Sequence, residues 1–241
     1  PPRARRTHTP AACAAAAAGR VEPSPAANAQ ISGDVLRIGF ITDLSGLYAD
    51  IAGPAGAEMI KQAIADMGGK VAGKRIELLV ADHQNKADVA AAKAREWFDQ
   101  QGMDMLIGGT NSGTALAMAK VAAEKKKPFL AIGPGSSALT SEQCSPYTVH
   151  YAYDTTALAN GTASTIVKNG GKSWYFLTAA YAFGTQLRDA ATKVGEANGG
   201  QSLAEVRAPV ATSDFSAFLP PPRAPGRPGG ALARPRGQCP H

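Results

Sequence analysis

Apolar positions recur along this chain in two rhythms, short continuous runs that read as buried strands and longer stretches with helical spacing. Residues 35–41 form the first run. Residues 53–67 then place Met59, Ile60, Ala63, Ile64 and Met67 on one helical face, with Pro54 near the start and Gly68 after the end. Residues 75–81 make the next strand and lead into Asp82-His83-Gln84-Asn85. There Asn85, with Asp88 three residues on, reads as the cap of a helix that carries Ala90, Ala94, Trp97 and Phe98 to Gly102. Residues 103–140 run strand, turn, helix (114–126), strand, turn. Residues 146–154 are extended and aromatic, and residues 156–168 are helical. The pattern then restarts, with strand 173–178, helix 185–198 stopped by Gly199-Gly200, and strand 203–206.

Strands and helices that alternate through short connections imply a parallel sheet covered on both faces. The expected fold class is therefore α/β, a doubly wound parallel-sheet lobe over residues 30–154. The restart after an extended linker predicts an incomplete second α/β lobe over residues 155–219.

Within this frame the two turns of residues 103–140 stand out for lack of bulk and wealth of hydroxyls. The first is Gly108-Gly109-Thr110-Asn111-Ser112-Gly113-Thr114, and the second Gly133-Pro134-Gly135-Ser136-Ser137-Ala138-Leu139-Thr140. Between parallel neighbours both lie at the carboxyl edge of the sheet, where a helix amino terminus offers unpaired N–H groups to a small anion. The alternative is that they only cap helices.

Charge does not redirect this picture. The formal net charge is +6. Four Arg against Glu22 precede Gln30 and four Arg without an acid follow Leu219, which leaves residues 30–219 at −1. A near-neutral body with basic tails has no electrostatic footprint for nucleic acid. Of three cysteines, Cys13, Cys144 and Cys239, only Cys144 lies in the body, and no Cys/His cluster has metal spacing. No apolar run is long enough to span a membrane.

Both tails differ in character from the body. Residues 1–29 combine Arg3, Arg5 and Arg6, an alanine run and Ala27-Asn28-Ala29, the order of a secretory signal peptide in damaged form, or else of a disordered tail. After Leu219 the chain is mostly Pro, Arg, Gly and Ala. Those residues are what GC-rich codons yield in a wrong frame, so a frameshift is expected there and another upstream of Gln30.

Motifs of catalysis are weak. Gly133-Pro134-Gly135-Ser136-Ser137-Ala138 matches the G-x-G-x-x-A dinucleotide pattern, but on the fourth strand, with a Pro where an N–H is wanted and no acid about twenty residues on. Gly171-Lys172-Ser173 ends like a P-loop yet precedes a strand. Asp82 and His83 offer a base with its orienter, though a loop role suits a helix head better. His150 is expected to pack in the aromatic linker. Tyr48, Tyr153, Tyr181 and Phe183 fall near strand ends, where they either fill the core or sandwich an apolar ligand group.

Residues 38–46 (IGFITDLSG), 81–88 (ADHQNKAD), 135–140 (GSSALT), and Tyr153-Asp154 through Ala159-Asn160-Gly161-Thr162 resemble the substrate-binding proteins of ABC transporters. The group is the leucine/isoleucine/valine-binding type, with type I periplasmic-binding fold, and the resemblance covers about residues 30–219. It implies two α/β lobes that close on an amino acid or related carboxylate and deliver it to a membrane permease, in the periplasm, without enzyme activity or cofactor. By this similarity Asn111, Ser112, Gly135, Ser136 and Ser137 match positions that hold the ligand's carboxylate and amino group. Tyr48 lies in the loop that closes over the ligand; from the second lobe Phe183, just before Gly184, has the place of an aromatic that covers it, and Tyr181 in the same run is a further ligand-binding candidate. Relatives often carry Asp where this chain has Ala180. Branched-chain amino acids, aromatic acids and small amides all suit such an edge. With the returning strands of lobe two absent, binding is expected to be no tighter than roughly millimolar. Two other readings remain open on the residues alone, a nucleotide-dependent α/β enzyme using the Gly133 turn and the ligand-sensing domain of a receptor.

Overall fold

A computed structural model describes residues 33–219; the expectations for residues 1–29 and 220–241 lie outside the described residues. The elements are β1 (Val35–Thr42), α1 (Ala49–Ala52), α2 (Pro54–Asp66), β2 (Lys70–Val71), β3 (Lys74–Asp82), α3 (Ala87–Gln100), β4 (Met105–Gly108), α4 (Ser112–Lys125), β5 (Phe129–Ala131), β6 (Thr148–His150), α5 (Thr155–Lys168), β7 (Ser173–Ala179), α6 (Ala182–Ala197) and β8 (Gln201–Ala208). Short 3-10 helices occupy Ser137–Thr140 and Ser216–Phe218.

The first six strands form one sheet in the order β2-β3-β1-β4-β5-β6, parallel except for the β2 edge. Side chains alternate across it. Ile41 and Leu106 pack with Ala90, Ala94 and Trp97 of α3 and Met118 and Val121 of α4. Ile38, Phe40 and Ile107 point the other way, toward Ala57 of α2. Apolar side chains on both faces explain why the strands read as continuous runs. Phe40 and Ile41 are fully buried, and such burial stabilises by about 1.5–3 kcal/mol per side chain. β7 and β8 pair in a second, two-stranded parallel sheet. α5 and α6 cover it, with Ala159, Ala163 and Val167 of α5 and Ala191 of α6 packed around Trp174 and Phe176.

Several expectations need correction. Asn85 does not cap α3: its own φ is +56°, and the cap position belongs to Lys86, whose side chain makes no capping bond. The helical face proposed for residues 53–67 is rotated, because Met59 and Met67 are exposed and the contact is made by Ala57 and, less deeply, Ile60. Small residues there bring the helix close to Phe40, a signal that counting bulky apolar residues overlooks. Residues 148–150 are not only linker but an edge strand paired with β5. The second hydroxyl-rich turn leads into a four-residue 3-10 helix, not an α-helix. Only the first turn therefore has a helix dipole behind it, and the dinucleotide pattern at Gly133 lacks the helix that a pyrophosphate needs. The Lys125–Lys127 run ends α4, with Lys126 in the left-handed cap and Lys125 paired to Asp99 at 2.5 Å.

The sheet also explains one glycine. A Cβ on Gly39 would collide with Met103 Sδ and lie 2.8 Å from Trp97 Cε3. Gly161, midway along α5, has open space. Gly39→Ala is expected to destabilise by about 1–3 kcal/mol through overpacking, and Gly161→Ala to stabilise by about 0.5–1 kcal/mol through helix propensity. Urea unfolding of the two variants checks both signs; equal effects would contradict this packing.

Candidate ligand-binding site

The site begins at the carboxyl ends of β1, β4, β5 and β7. Asp43, the first residue after β1, is fully buried. Its carboxylate accepts the N–H of Gly46 at 2.8 Å and of Tyr48 at 2.9 Å, and the Asn85 Nδ2 at 2.6 Å. This wraps the loop after β1 and presents Tyr48 at its end, itself 4% exposed. Asn85 adopts its left-handed backbone to reach across from the loop after β3. Asp82 braces the same loop, accepting Leu44 N at 3.1 Å and Ser45 Oγ at 2.5 Å.

His83 sits underneath, fully buried, with Nδ1 accepting Asn85 N at 3.1 Å and Nε2 3.4 Å from Thr114 Oγ1. Burial pushes its pKa below the ordinary imidazole value, although Asp43 and Asp82 pull the other way. Asp82 is drawn up by burial, but the bonds from Ser45, Gln84 and Leu44 and the neighbouring His83 outweigh that and hold it low. Ligand atoms of Asp43, Asp82 and His83 lie within 4.8 Å of one another. Loop N–H groups, Ser45 and Asn85 already occupy these acceptors, so a cation there would have to displace the bonds that shape the loop.

The two turns after β4 and β5 abut. A Cβ on Gly133 would lie 3.1 Å from Gly109 O, and one on Gly109 would lie 3.6 Å from Pro134. In the first turn Asn111 caps α4, its Oδ1 accepting Gly113 N at 2.7 Å and Thr114 N at 3.3 Å, and Ser112 is buried at the first position of the helix. The carboxamide oxygen of Asn111 is thus committed to the cap. In the second turn Ser136 is fully buried and donates to Gln186 Oε1 at 2.7 Å, while Ser137 Oγ accepts from Thr155 Oγ1 at 3.0 Å.

From the far side, β7 ends and α6 begins at Tyr181, which occupies the N-cap position. Tyr48 Oη donates to Tyr181 Oη at 3.0 Å, with ring centroids 6.5 Å apart. Tyr181 stacks on Phe183 at 6.0 Å. Phe183 in turn covers Gly135, where a Cβ would come 2.7 Å from the Phe183 ring and 3.3 Å from Tyr153. Glycine is required there by close approach. Burial raises the pKa of Tyr48 and of Tyr181, and the neighbouring Tyr153 raises both further. Both phenols therefore remain protonated, and one of the two protons is left over for another acceptor.

Of the residues singled out in the sequence, Tyr48, Gly135, Ser136, Tyr181 and Phe183 meet in one place. Ser137 borders it, while Asn111 and Ser112 join through the backbones of the abutting turns. Gln186 was missed, since a Gln on the polar side of a helix carries no sequence signal. Tyr153 was singled out among the aromatics without being placed against Gly135. His150 uses Nε2 to donate to Pro134 O at 2.6 Å, steadying the second turn.

Residues 35–226 match the model of a family described as periplasmic binding protein. A periplasmic binding protein of Burkholderia mallei is 64% identical, with a TM-score of 0.75, over 77% of this chain and 49% of that one. A solute binding protein of an ABC transporter from Rhodopseudomonas palustris BisB5, in complex with 3,4-dihydroxybenzoic acid, is 29% identical with a TM-score of 0.69 over 77% and 50%. The Leu/Ile/Val-binding protein homolog 6 of Brucella abortus (strain 2308) is 26% identical over 77% of this chain and 47% of its own length. The chain spans about half the length of these relatives.

The buried imidazole sets the pH response. Because its folded pKa lies below the unfolded value of about 6.5, the unfolded chain takes up the proton first as pH falls. Stability is full above about pH 6.5 and declines below it until the folded His83 also titrates, by at most about 1.4 kcal/mol per pH unit. The Asp82 contribution is lost only lower, as pH falls below about 4. Urea unfolding at pH 7.5 and 5.5 should show the first loss, and His83→Gln should flatten it; an unchanged slope would place the imidazole in solvent.

Proposed function

Because the chain belongs to the periplasmic binding protein family, with its type I fold, we propose that it is a solute-binding component of an ABC transporter that captures a small carboxylate for a membrane permease. The observation that carries this reading is the convergence, from both sheets, of Tyr48, Tyr181 and Phe183 on the Gly135-Ser136 turn. Stacked rings supply a wall for an apolar or aromatic body, and hydroxyl and backbone donors at the sheet edge supply bonds to a carboxylate. The two sides of the clamp run over residues 30–154 and 155–219, and the periplasm is the compartment in which it acts.

Within this reading Ser136, Ser137, Asn111, Ser112 and the backbone at Gly135 hold the polar head, while Tyr48, Tyr181 and Phe183 close over the remainder. The chemistry is binding without reaction. The relatives' names point to two ligand classes, aromatic acids and branched-chain amino acids, and the aromatic wall suits both. A nucleotide-dependent enzyme is disfavoured by the 3-10 helix after Gly133.

Affinity follows from how much water is excluded. A solvent-competed hydrogen bond contributes about 0.5–1.5 kcal/mol and an open helix terminus about 0.3–1 kcal/mol, against at least about 4 kcal/mol for lost freedom on association. With about half the family length present, binding of 3,4-dihydroxybenzoate or L-leucine in the millimolar range is expected. NMR titration of the 241-residue chain measures it. Phe183→Ala, and Ser136→Ala with Ser137→Ala, should each weaken association about 2- to 10-fold. Unchanged shifts in both variants would move the site elsewhere, and micromolar binding would show that this half of the clamp suffices.

A further inference from the structure

Ser136 is the residue at which the structure and the proposed ligand compete. Its side chain is fully buried, and its hydroxyl donates at 2.7 Å to Gln186 Oε1 from the opposite sheet's helix α6. A hydroxyl has one proton to donate, so Ser136 cannot serve Gln186 and a ligand carboxylate together. Gln186 is half-buried and lies at the start of the second turn of α6, three residues beyond the Phe183 ring that covers Gly135. Beside it lies a solvent-open cavity of about 630 Å³ lined by Ser137, Asn160, Asp189 and Lys193 and by the apolar Ala190 and Val194. A side chain of this length therefore has open space to swing into once its bond to Ser136 breaks.

We propose that Gln186 is a gate on the carboxylate position: it latches α6 to the second turn when no ligand is bound, and it must leave Ser136 and turn toward the cavity for a carboxylate to enter. The inference rests on the reading that Ser136 receives the ligand's carboxylate. Gln186 then acts as a positioning and specificity-determining residue. It favours ligands whose head group outcompetes a neutral amide oxygen for a hydroxyl proton, which a carboxylate does because charge-assisted hydrogen bonds are the stronger kind. Neutral heads such as esters or alcohols would fail to open it. The Tyr48–Tyr181 bond makes a second crossing that the gate does not touch, so loss of Gln186 loosens the closure locally without separating the two halves.

Two measurements on the whole chain decide this. The first uses no ligand: hydrogen exchange by mass spectrometry of Gln186→Leu, Ser136→Ala and the double variant. Both single variants should speed exchange in residues 135–141 and 182–187 to a similar degree, and the double variant should add nothing further, because each removes the same bond. No change, or additive changes, would overturn the latch. The second is NMR titration with 3,4-dihydroxybenzoate, its methyl ester and L-leucine. Gln186→Leu should raise carboxylate affinity about 2- to 10-fold by freeing the Ser136 proton and narrow the preference over the ester. Gln186→Glu should lower it at least about 10-fold by placing a like charge at the entrance. Weaker carboxylate binding in Gln186→Leu would make the amide a ligand contact and overturn the gate. Absence of binding by every variant while the exchange results hold would strike the carboxylate reading of Ser136 and the competition with it, leaving the latch standing.

Discussion

The buried carboxylate of Asp43 is the contact on which the rest of the site depends. It gathers two loop N–H groups and the Asn85 amide at 2.6–2.9 Å, and through them it fixes where the chain turns after β1 and how the loop after β3 meets it. Without it two buried or half-buried donors, Tyr48 N and Asn85 Nδ2, would be stranded, at about 1–3 kcal/mol each. It holds the backbone of Tyr48 at the sheet edge, where the four-residue helix that follows adds little support, and the Tyr181 hydroxyl holds the other end of the side chain. His83 completes the arrangement from below by accepting Asn85 N and reaching Thr114, so the loop that carries Tyr48 and the turn that carries Asn111 share one polar network.

The edge of the sheet supplies the other half of the geometry. Parallel neighbours β4 and β5 deliver their turns side by side, and close backbone approach demands small residues in both. The functional consequences diverge because only the first turn opens a true α-helix. Its donors are partly spent on the Asn111 cap, whereas the second turn keeps its hydroxyls near Phe183 and Gln186. A carboxylate at this edge would therefore rely on Ser136 and Ser137 more than on a helix dipole.

Contacts between the two sheets' halves are chemically mixed, and among them are a phenol pair, a ring over a glycine, a serine–glutamine bond and a threonine–serine bond. Each is strong enough to orient and weak enough to exchange for a ligand, which is what a reversible binding protein needs. The aromatic cluster and the neutral phenols suit a ring or a branched apolar group, and in the proposed reading the charge-bearing end of the ligand falls to the serines.

The alternation of apolar runs and helical stretches was enough to determine the α/β class, the parallel pairing of strands and the restart near residue 173, because burial on both faces forces continuous apolar strands; the order of the strands came only with the fold. The short polar turns were legible for the same reason, since only small residues permit their approach. Which face of α2 is buried was decided by tertiary packing, where Ala57 fits against the sheet and the bulkier Met59 and Met67 do not. Asn85 shows the same limit: its residue type favours a helix cap, but a buried carboxylate from a distant loop outbids the local backbone for its amide. Gln186 was invisible for a related reason. A polar residue on a helix acquires meaning only when folding sets a buried serine 2.7 Å away, a distance that no local pattern encodes.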